Sequence, residues 1–157
     1  MKSVLASALM AVVLGASLSA QADAIPPEKQ IELRQAGFSY MSWSMGKIKA
    51  QVIDQSVAYD QQQILAAANT LNAVAHSGMG ALFGPGTEQQ VGDVRTRAKP
   101  ELFENFDDVG QIYGKLGAAT EQLVAAATAD DQAAIRTAFA EVGKNCKACH
   151  DKYRLPH

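Results

Sequence analysis

The stretch KNCKACHDKY, residues 144–153, ends the apolar stripe that decides how this chain folds. It contains the only two cysteines of the 157-residue sequence, three positions apart, with a histidine directly after the second. Apolar residues lead up to it in alternating steps of four and three, the spacing of one helix face. The pattern predicts a last helix that begins between Thr128 and Asp130 and turns both cysteines inward. Its stripe is Ile135, Phe139, Val142, Cys146, Cys149 and Tyr153.

The same periodicity predicts three further helices. The second begins near Asp60, where Gln63 is placed for a capping box, and it ends at Ser77-Gly78. The first and the third begin with proline, which a first helical turn tolerates. The first opens at Pro26-Pro27, and its stripe is Ile31, Arg34, Phe38, Met41, Met45, Ile48 and Val52. The third opens at Pro100, and its stripe is Leu102, Phe106, Val109, Tyr113, Leu116, Thr120 and Leu123.

A glycine-rich link, SGMGALFGPGTEQQVGDVRTRAK at 77–99, separates helices two and three and is long for a helix–helix connection. The other connections are short, so the helices that they join should be antiparallel neighbours. The sequence therefore predicts an all-α fold, an antiparallel four-helix bundle with one long helix 2–helix 3 connection.

Residues 1–24 are interpreted as a cleaved secretory signal peptide. Lys2 gives a positive start, an uncharged run of small and apolar residues follows, and AQADA has small residues where a signal peptidase cuts. A membrane anchor is the alternative, but the run is short and alanine-rich for a bilayer. Cleavage after Ala24, or after Ala22, would leave 25–157 as one four-helix domain in the periplasm, where disulfides are permitted.

The net charge and hydropathy of the chain bear on which classes of partner it can bind. The formal net charge is −2 at pH 7, whereas nucleic-acid binding needs a clustered positive surface. No stretch after the signal peptide is long and apolar enough to cross a membrane. We therefore expect neither nucleic acid nor a membrane as a partner.

The spacing of Cys146, Cys149 and His150 suits covalent haem. Residues three and four apart on a helix are neighbours, so two thiols can bond the vinyl groups of one haem while the imidazole binds its iron. Cys-x-x-Cys-His is the attachment signature of a c-type haem. The sequence predicts one covalently attached haem c, with His150 as the proximal iron ligand.

A pair of cysteines can also serve three purposes other than haem attachment. A zinc site needs four ligands, and only His76 and His157 remain as further histidines. A thioredoxin-like redox pair occurs in a βαβ context, which this helical chain lacks. A disulfide would close a very small loop and constrain little.

The sixth iron ligand decides what such a haem does. Few residues follow His150, so this ligand comes from upstream or is missing; the candidates are Met41, Met45, Met79 and His76. His76 is read as a solvated residue at a helix end, and methionines of helix one are commonly core residues.

Helix one carries two residues suited to a haem edge. Arg34 occupies a core position and needs a partner if it is buried, which a haem propionate could supply; a guanidinium reaching out from the bundle end is the alternative. Phe38, one turn further, cannot bind iron. If Arg34 holds the haem edge, Phe38 should cover an open but crowded sixth position.

The chain resembles the cytochrome c′ family over its whole mature length. The motifs that carry the resemblance are RQAGFSYM in helix one, GMGALFGPGTE in the link, KPELF at helix three, and VGKNCKACHDKYR at the end. The resemblance implies five-coordinate, high-spin haem that binds NO and CO. It also implies Arg34 and Gln35 near the propionates, Phe38 in the distal pocket and Arg154 beside the proximal histidine. Low-spin relatives instead place a methionine of helix one on the iron.

Family members pair as homodimers through helices one and two, and helix one offers a surface for this. A second, partly apolar face is made by Ala36, Tyr40, Trp43, Lys47 and Ala50. The alternative is that Trp43 merely widens the core stripe.

Three functions follow as hypotheses. The first is a periplasmic protein that binds NO, for scavenging or as protection against nitrosative stress. The second is electron transfer with an unidentified donor or acceptor, for which a fixed methionine ligand would suit a low-spin carrier. The third, a weak peroxidase activity, would want a distal acid–base residue, and helix one offers none near Phe38. We expect a protein that is not an enzyme.

Overall fold

The predicted all-α fold is confirmed by a computed structural model that describes residues 25–156. Four long helices form the bundle: α1 (Pro27–Ile48), α2 (Gln61–Ala75), α4 (Phe106–Thr128) and α5 (Gln132–Tyr153). A short helix, α3 (Pro100–Glu104), precedes α4. Neighbours pack in the order α1, α2, α4, α5, and the end of α1 meets α5 again. None of the described helices is long and apolar enough to span a membrane.

The prediction of one unbroken third helix from Pro100 is wrong. Asn105 leaves the helical region with φ −130° and ψ 42°, and its side chain donates a 2.7 Å hydrogen bond to the Glu101 carbonyl. Its own carbonyl accepts from the amide of Val109 and so starts α4. The break also turns Phe106, predicted to be in the core, to a position that is 50% exposed.

The helix α2 starts at the predicted capping signal, except that the Asp60 amide is not bound by the Gln63 side chain. The Asp60 side chain accepts from the amide of Gln63, and the Gln63 side chain donates back to the Asp60 carboxylate. The amide of Asp60 is satisfied by Gln51 Oε1 at 2.8 Å. Gln51 lies in a π-helical turn, Lys49–Ile53, that follows α1. This turn therefore links the end of α1 to the start of α2.

The last helix begins slightly later than predicted. Asp131 is its N-cap and accepts hydrogen bonds from the amides of Ala133 and Ala134. Asp130 is in the turn with φ 56°, where its carboxylate accepts from the Tyr59 hydroxyl. The tight turn makes α4 and α5 antiparallel neighbours.

Two apolar clusters hold the bundle together. The main core takes large aliphatic side chains from all four long helices, among them Ile48, Leu71, Leu123 and Ile135. Truncating one of them to alanine would cost about 2–5 kcal/mol. A smaller cluster around Leu102 lies at the end of the bundle where α3 meets the last turn of α5. The second cluster gives the C-terminal end of α5 its own apolar support.

The register of α1 against α5 follows from two contacts. Met45 Cε lies 4.0 Å from the Cβ position of Gly143. Seven residues further along the chain, in the π-helical turn after α1, and seven back along α5, Arg136 Nε donates to the Val52 carbonyl at 3.2 Å. The two segments are therefore antiparallel, and extending the same spacing would bring Phe38, seven residues before Met45, to the height of His150, seven residues after Gly143.

Candidate cofactor site

The two cysteines lie on the inward face of α5, as the stripe predicted. Both thiols are free and partly buried. Cys146 packs against the main core, and Cys149 packs against the smaller cluster at the bundle end. The pair therefore spans the boundary between the two apolar clusters, one helical turn apart.

Burial controls the acidity of both thiols. Desolvation raises the pKa of Cys146. It also raises the pKa of Cys149, where Cys146 and Asp108 add to the effect. Tyr113 of α4 lies close to both: its pKa is raised by burial and then by the two cysteines. An apolar pair of thiols beside an aromatic ring suits a flat organic group better than it suits an ion.

His150 follows on the same side of α5 and is exposed. Its Nδ1 lies 3.2 Å from Nη1 of Arg154, one turn later. Its pKa is lowered by burial first and then by the positive charges of Arg154 and Arg97, against which Asp151 acts weakly. These effects favour the neutral imidazole, the form that can bind a metal.

Phe38 is the exposed member of the α1 stripe, with 37% of its surface accessible. It lies two helical turns before Met45, which contacts α5 at the Gly143 position, so these two side chains share a flank of α1. Its predicted place in the distal pocket stays a prediction.

Arg34 is buried, with 3% of its surface exposed, so the alternative of a guanidinium reaching out of the bundle is wrong. Its four terminal N–H bonds are donated to the Leu82 carbonyl, to the hydroxyl and carbonyl of Thr87, and to the Thr96 hydroxyl. The guanidinium also lies 4.5 Å from the ring centre of Phe83. Arg34 therefore holds the long link against α1.

The partners of Arg34 bear on whether a haem fits here. All four acceptors are neutral, and burial alone lowers the pKa of Arg34 to about 10. No carboxylate within residues 25–156 forms an ion pair with it. A buried cation needs a compensating charge, and a haem propionate would supply it. Because the four terminal N–H bonds of Arg34 are already donated within the protein, its predicted contact with a propionate stays a prediction.

The other predicted residues take clear positions. Gln35 is exposed and donates a 2.5 Å hydrogen bond to the Arg95 carbonyl of the link. Arg154 pairs with Ala98 in an isolated antiparallel bridge just after α5. Both residues contact the last part of the link, and their predicted contacts with the cofactor stay predictions.

The candidate sixth ligands from the sequence have other contacts. Met41 is buried in the main core. Met79 is buried with its sulfur 3.0 Å from the Cβ position of Gly37. His76 donates from Nδ1 to the Asn72 carbonyl at 2.9 Å, and its Nε2 lies 3.2 Å from Glu121 Oε1. Within residues 25–156 no three histidine, cysteine or carboxylate side chains are close enough to share a metal ion.

Sequence reasoning missed the residues of the link that complete this region. Thr87 is fully buried and accepts from Arg34, while Thr96 accepts from the other side of the same guanidinium. The signal for Thr87 was its place in FGPGT, in which Gly86 takes a φ of 83° that favours glycine, and Thr96 had no such signal. A threonine in a glycine-rich loop carries no periodicity from which burial could be inferred.

Comparisons with known proteins agree on one family. A family model described as Cytochrome C′ matches residues 29–154. The cytochrome c′ of Allochromatium vinosum is 50% identical over 155 residues, which is 98% of this chain and 99% of that protein. The crystal structure of cytochrome c′ from Thermochromatium tepidum is 53% identical with a TM-score of 0.81, covering 85% of this chain and 99% of that chain.

A third similar protein is a solved cytochrome c′ with an unusual ligand-controlled dimer dissociation. It is 50% identical with a TM-score of 0.80, over 83% of this chain and 98% of that chain. The similarity extends over the whole bundle.

Proposed function

This chain belongs to the cytochrome c′ family, a family of haem c proteins, and from that premise we propose that it binds a diatomic gas, NO or CO, at an open iron position. Cys146 and Cys149 hold the haem by thioether bonds, and His150 binds its iron. When bound, the haem supplies an iron centre that takes a gas ligand or exchanges an electron. NO scavenging is the physiological role that this arrangement suits.

The exposure of Phe38 on the otherwise buried or half-buried stripe of α1 is the observation that carries the proposal. Extending the α1–α5 register from Met45–Gly143 and Val52–Arg136 would bring the Phe38 ring to the height of His150. A phenyl ring has no atom that can bind iron, and it excludes water from the space that it covers. This side chain leaves the distal position open to a small ligand and crowded for a large one.

The remaining residues of the site orient the cofactor. Arg34 offers its Nε–H bond and its unbalanced charge to a propionate, and Gln35 lies beside it on the next position of α1. Arg154 keeps a positive charge next to His150. Solved structures of the cytochrome c′ of Alcaligenes xylosoxidans, 33% identical with TM-scores of 0.71 and 0.72, include a nitric oxide complex and a carbon monoxide-bound variant.

An absorption spectrum of the ferrous protein tests the open site. We expect the broad Soret band of five-coordinate, high-spin iron, and a new sharp band after CO is added. Sharp, split low-spin bands in the gas-free ferrous protein would overturn the proposal.

Electron transfer through a six-coordinate haem is the second candidate, with a methionine of α1 as the sixth ligand. Met45 contacts the Gly143 position on α5, one turn before Cys146, and Met41 lies one turn nearer to Phe38. A low-spin spectrum that becomes high-spin in Met45→Leu, but not in Met41→Leu, would support this candidate. A low-spin spectrum that is lost only in Met41→Leu would assign the sixth ligand to Met41.

Export and pairing complete the proposed role. Residues 1–24, which lie outside the described residues, would be the cleaved signal peptide of a periplasmic protein, and 25–157 the mature domain. N-terminal sequencing of the secreted protein decides between cleavage after Ala24 and after Ala22. A mature protein that still begins at Met1 would contradict both.

A second copy of the chain is the proposed partner of α1. Tyr40 and Trp43 are 54% and 55% exposed, and their rings contact each other at a tilt of 37° with centroids 5.2 Å apart. The alternative that Trp43 widens the core stripe is therefore wrong. An exposed aromatic pair of this size commonly marks an interface. Sedimentation of the haem-loaded protein with and without CO would measure the dimer and any dissociation on ligand binding.

A further inference from the structure

The cleft between α1 and α5 is closed by a direct contact at one end of the bundle. The π-helical turn after α1 contacts α5, and Arg136 fixes it there through the Val52 carbonyl. Towards the other end, past Met45 and Gly143, a short piece of the long link joins the two helices. This piece is residues 95–99, which we call the tie.

One side of the tie is bound to α1. The Arg95 carbonyl accepts a 2.5 Å hydrogen bond from Gln35 Nε2. The Thr96 hydroxyl accepts a 2.7 Å hydrogen bond from Arg34 Nη2. The same hydroxyl accepts from the Ala98 amide at 3.1 Å, which shapes the backbone of the tie.

The other side of the tie is bound to the segment that follows α5. The Leu155 amide donates to the Arg97 carbonyl at 2.8 Å, and the Lys99 amide donates to the Tyr153 carbonyl at 2.9 Å. The Arg97 side chain donates two more hydrogen bonds to the Leu155 carbonyl, at 3.1 Å from Nε and 2.6 Å from Nη2. Adjacent residues, Thr96 and Arg97, thus bind partners on opposite sides of the cleft.

We propose that the tie sets the width of the cleft between α1 and the end of α5, and so sets how closely Phe38 covers the iron held by His150. Arg97 and Thr96 are positioning residues in this arrangement, since they act through the helices that they join. The inference rests on the proposed haem site, because the covered atom is its iron.

If the tie is weakened, α1 should tilt away from α5 about its fixed end. Its far end is fixed at the π-helical turn, and its near end is held by the tie through Arg34 and Gln35. Each single hydrogen bond contributes modestly, so losing one or two would widen the cleft in part of the population without unfolding the bundle. The opening should be larger at Leu33, near the tie, than at Trp43, nearer the fixed end.

The single tryptophan of the chain makes this measurable. Trp43 lies on α1, and the haem on α5 quenches its fluorescence by energy transfer that falls with the sixth power of the distance. A second reporter is obtained with Leu33→Trp in a Trp43→Phe background, since Leu33 is exposed. Fluorescence lifetimes of both reporters would be measured in the haem-loaded protein, alone and combined with Arg97→Ala or Thr96→Val.

We expect both tie variants to lengthen the lifetimes, more for the reporter at position 33 than for Trp43, and to change the rate of CO binding severalfold. Arg97→Lys, which keeps one donor, should fall between the wild type and Arg97→Ala. Gln90→Ala is the matched control, because Gln90 donates to the Gly92 carbonyl inside the link. It should change neither quantity.

Unchanged lifetimes in both tie variants would overturn the inference. So would equal changes in the tie variants and in Gln90→Ala, because these would reflect general loosening of the link. The test is separable from the proposed function, since the lifetimes report cleft width whether the iron is five- or six-coordinate. A low-spin ferrous wild type would refute the open site and leave the lifetime result standing.

Discussion

The guanidinium of Arg34 donates a 2.7 Å hydrogen bond to the hydroxyl of Thr87, and both side chains are buried although they are 53 residues apart in the chain. The bond joins the first helix to the glycine-rich link. It shows that the polar member of an otherwise apolar stripe serves as the anchor of the longest connection in the fold.

Arg34→Ala should lower the free energy of unfolding by about 3 kcal/mol, because it removes the donor to the hydroxyl and carbonyl of the buried Thr87 and opens a cavity. Urea unfolding of the haem-loaded protein would measure this. Lys29→Ala is the control, as it removes an exposed ion pair on the same helix. A loss no larger for Arg34→Ala than for this control would contradict the anchoring role.

Ser44→Ala should stabilise the protein. The Ser44 hydroxyl is buried and makes no hydrogen bond among the described residues. Removing an unsatisfied buried hydroxyl recovers about 1 kcal/mol. The midpoint of thermal unfolding would rise in this variant and stay unchanged in Ser42→Ala, an exposed position on the same helix. A lower midpoint for Ser44→Ala would mean that the hydroxyl has a partner after all.

Phe38→Ala should speed CO binding to the ferrous protein by about tenfold, equivalent to about 1.4 kcal/mol of barrier, because the ring crowds the sixth position. Stopped-flow mixing would give the rate constant. Phe106→Ala removes an exposed ring elsewhere and serves as the control. Equal rates for Phe38→Ala and the wild type would mean that Phe38 does not cover the iron.

The Asp108 carboxylate should make the last turn of α5 sensitive to acid. The hydrogen bond from the Tyr153 hydroxyl, followed by that from Lys152, lowers the pKa of Asp108 below its ordinary value of 3.8. A lowered pKa gives stability that is present above pH 3.8 and is lost as the pH falls through the folded-state value.

Tyr153→Phe therefore should reduce the loss of thermal stability between pH 5 and pH 3, and raise the pKa of Asp108 measured by NMR. The conservative change keeps the ring in the apolar cluster around Leu102. An unchanged pKa in this variant would mean that Lys152 alone holds the carboxylate ionised.

Trp43→Ala should weaken the proposed dimer by about 2 kcal/mol, or about 30-fold in Kd, the usual cost of removing a central tryptophan. Analytical ultracentrifugation over a concentration series would measure it. Phe106→Ala again controls for loss of an exposed aromatic, since it lies at the start of α4 and away from this face of α1. Equal dissociation constants for the two variants would point to an interface elsewhere.

The spacing of apolar residues predicted the helices that bury a continuous apolar face. It did not predict a helix break caused by the backbone conformation of a single residue. Four long helices and the inward face of Cys146 and Cys149 followed from residue spacing. The break at Asn105 did not, because the apolar pattern continues across it while its backbone and side chain satisfy a different set of hydrogen bonds. Phe106 was misassigned for the same reason.

Residue spacing is enough to explain the chemistry at the end of the chain, since Cys146, Cys149 and His150 belong to one helix, where that spacing makes them neighbours. What lies opposite them depends on the folded bundle. The height of Phe38 along α5 depends on the register of α1 against α5, and the burial of Arg34 depends on Thr87 and Thr96 in the link. These contacts join segments distant in sequence, and their geometry is set by packing of the whole bundle, which local spacing does not encode.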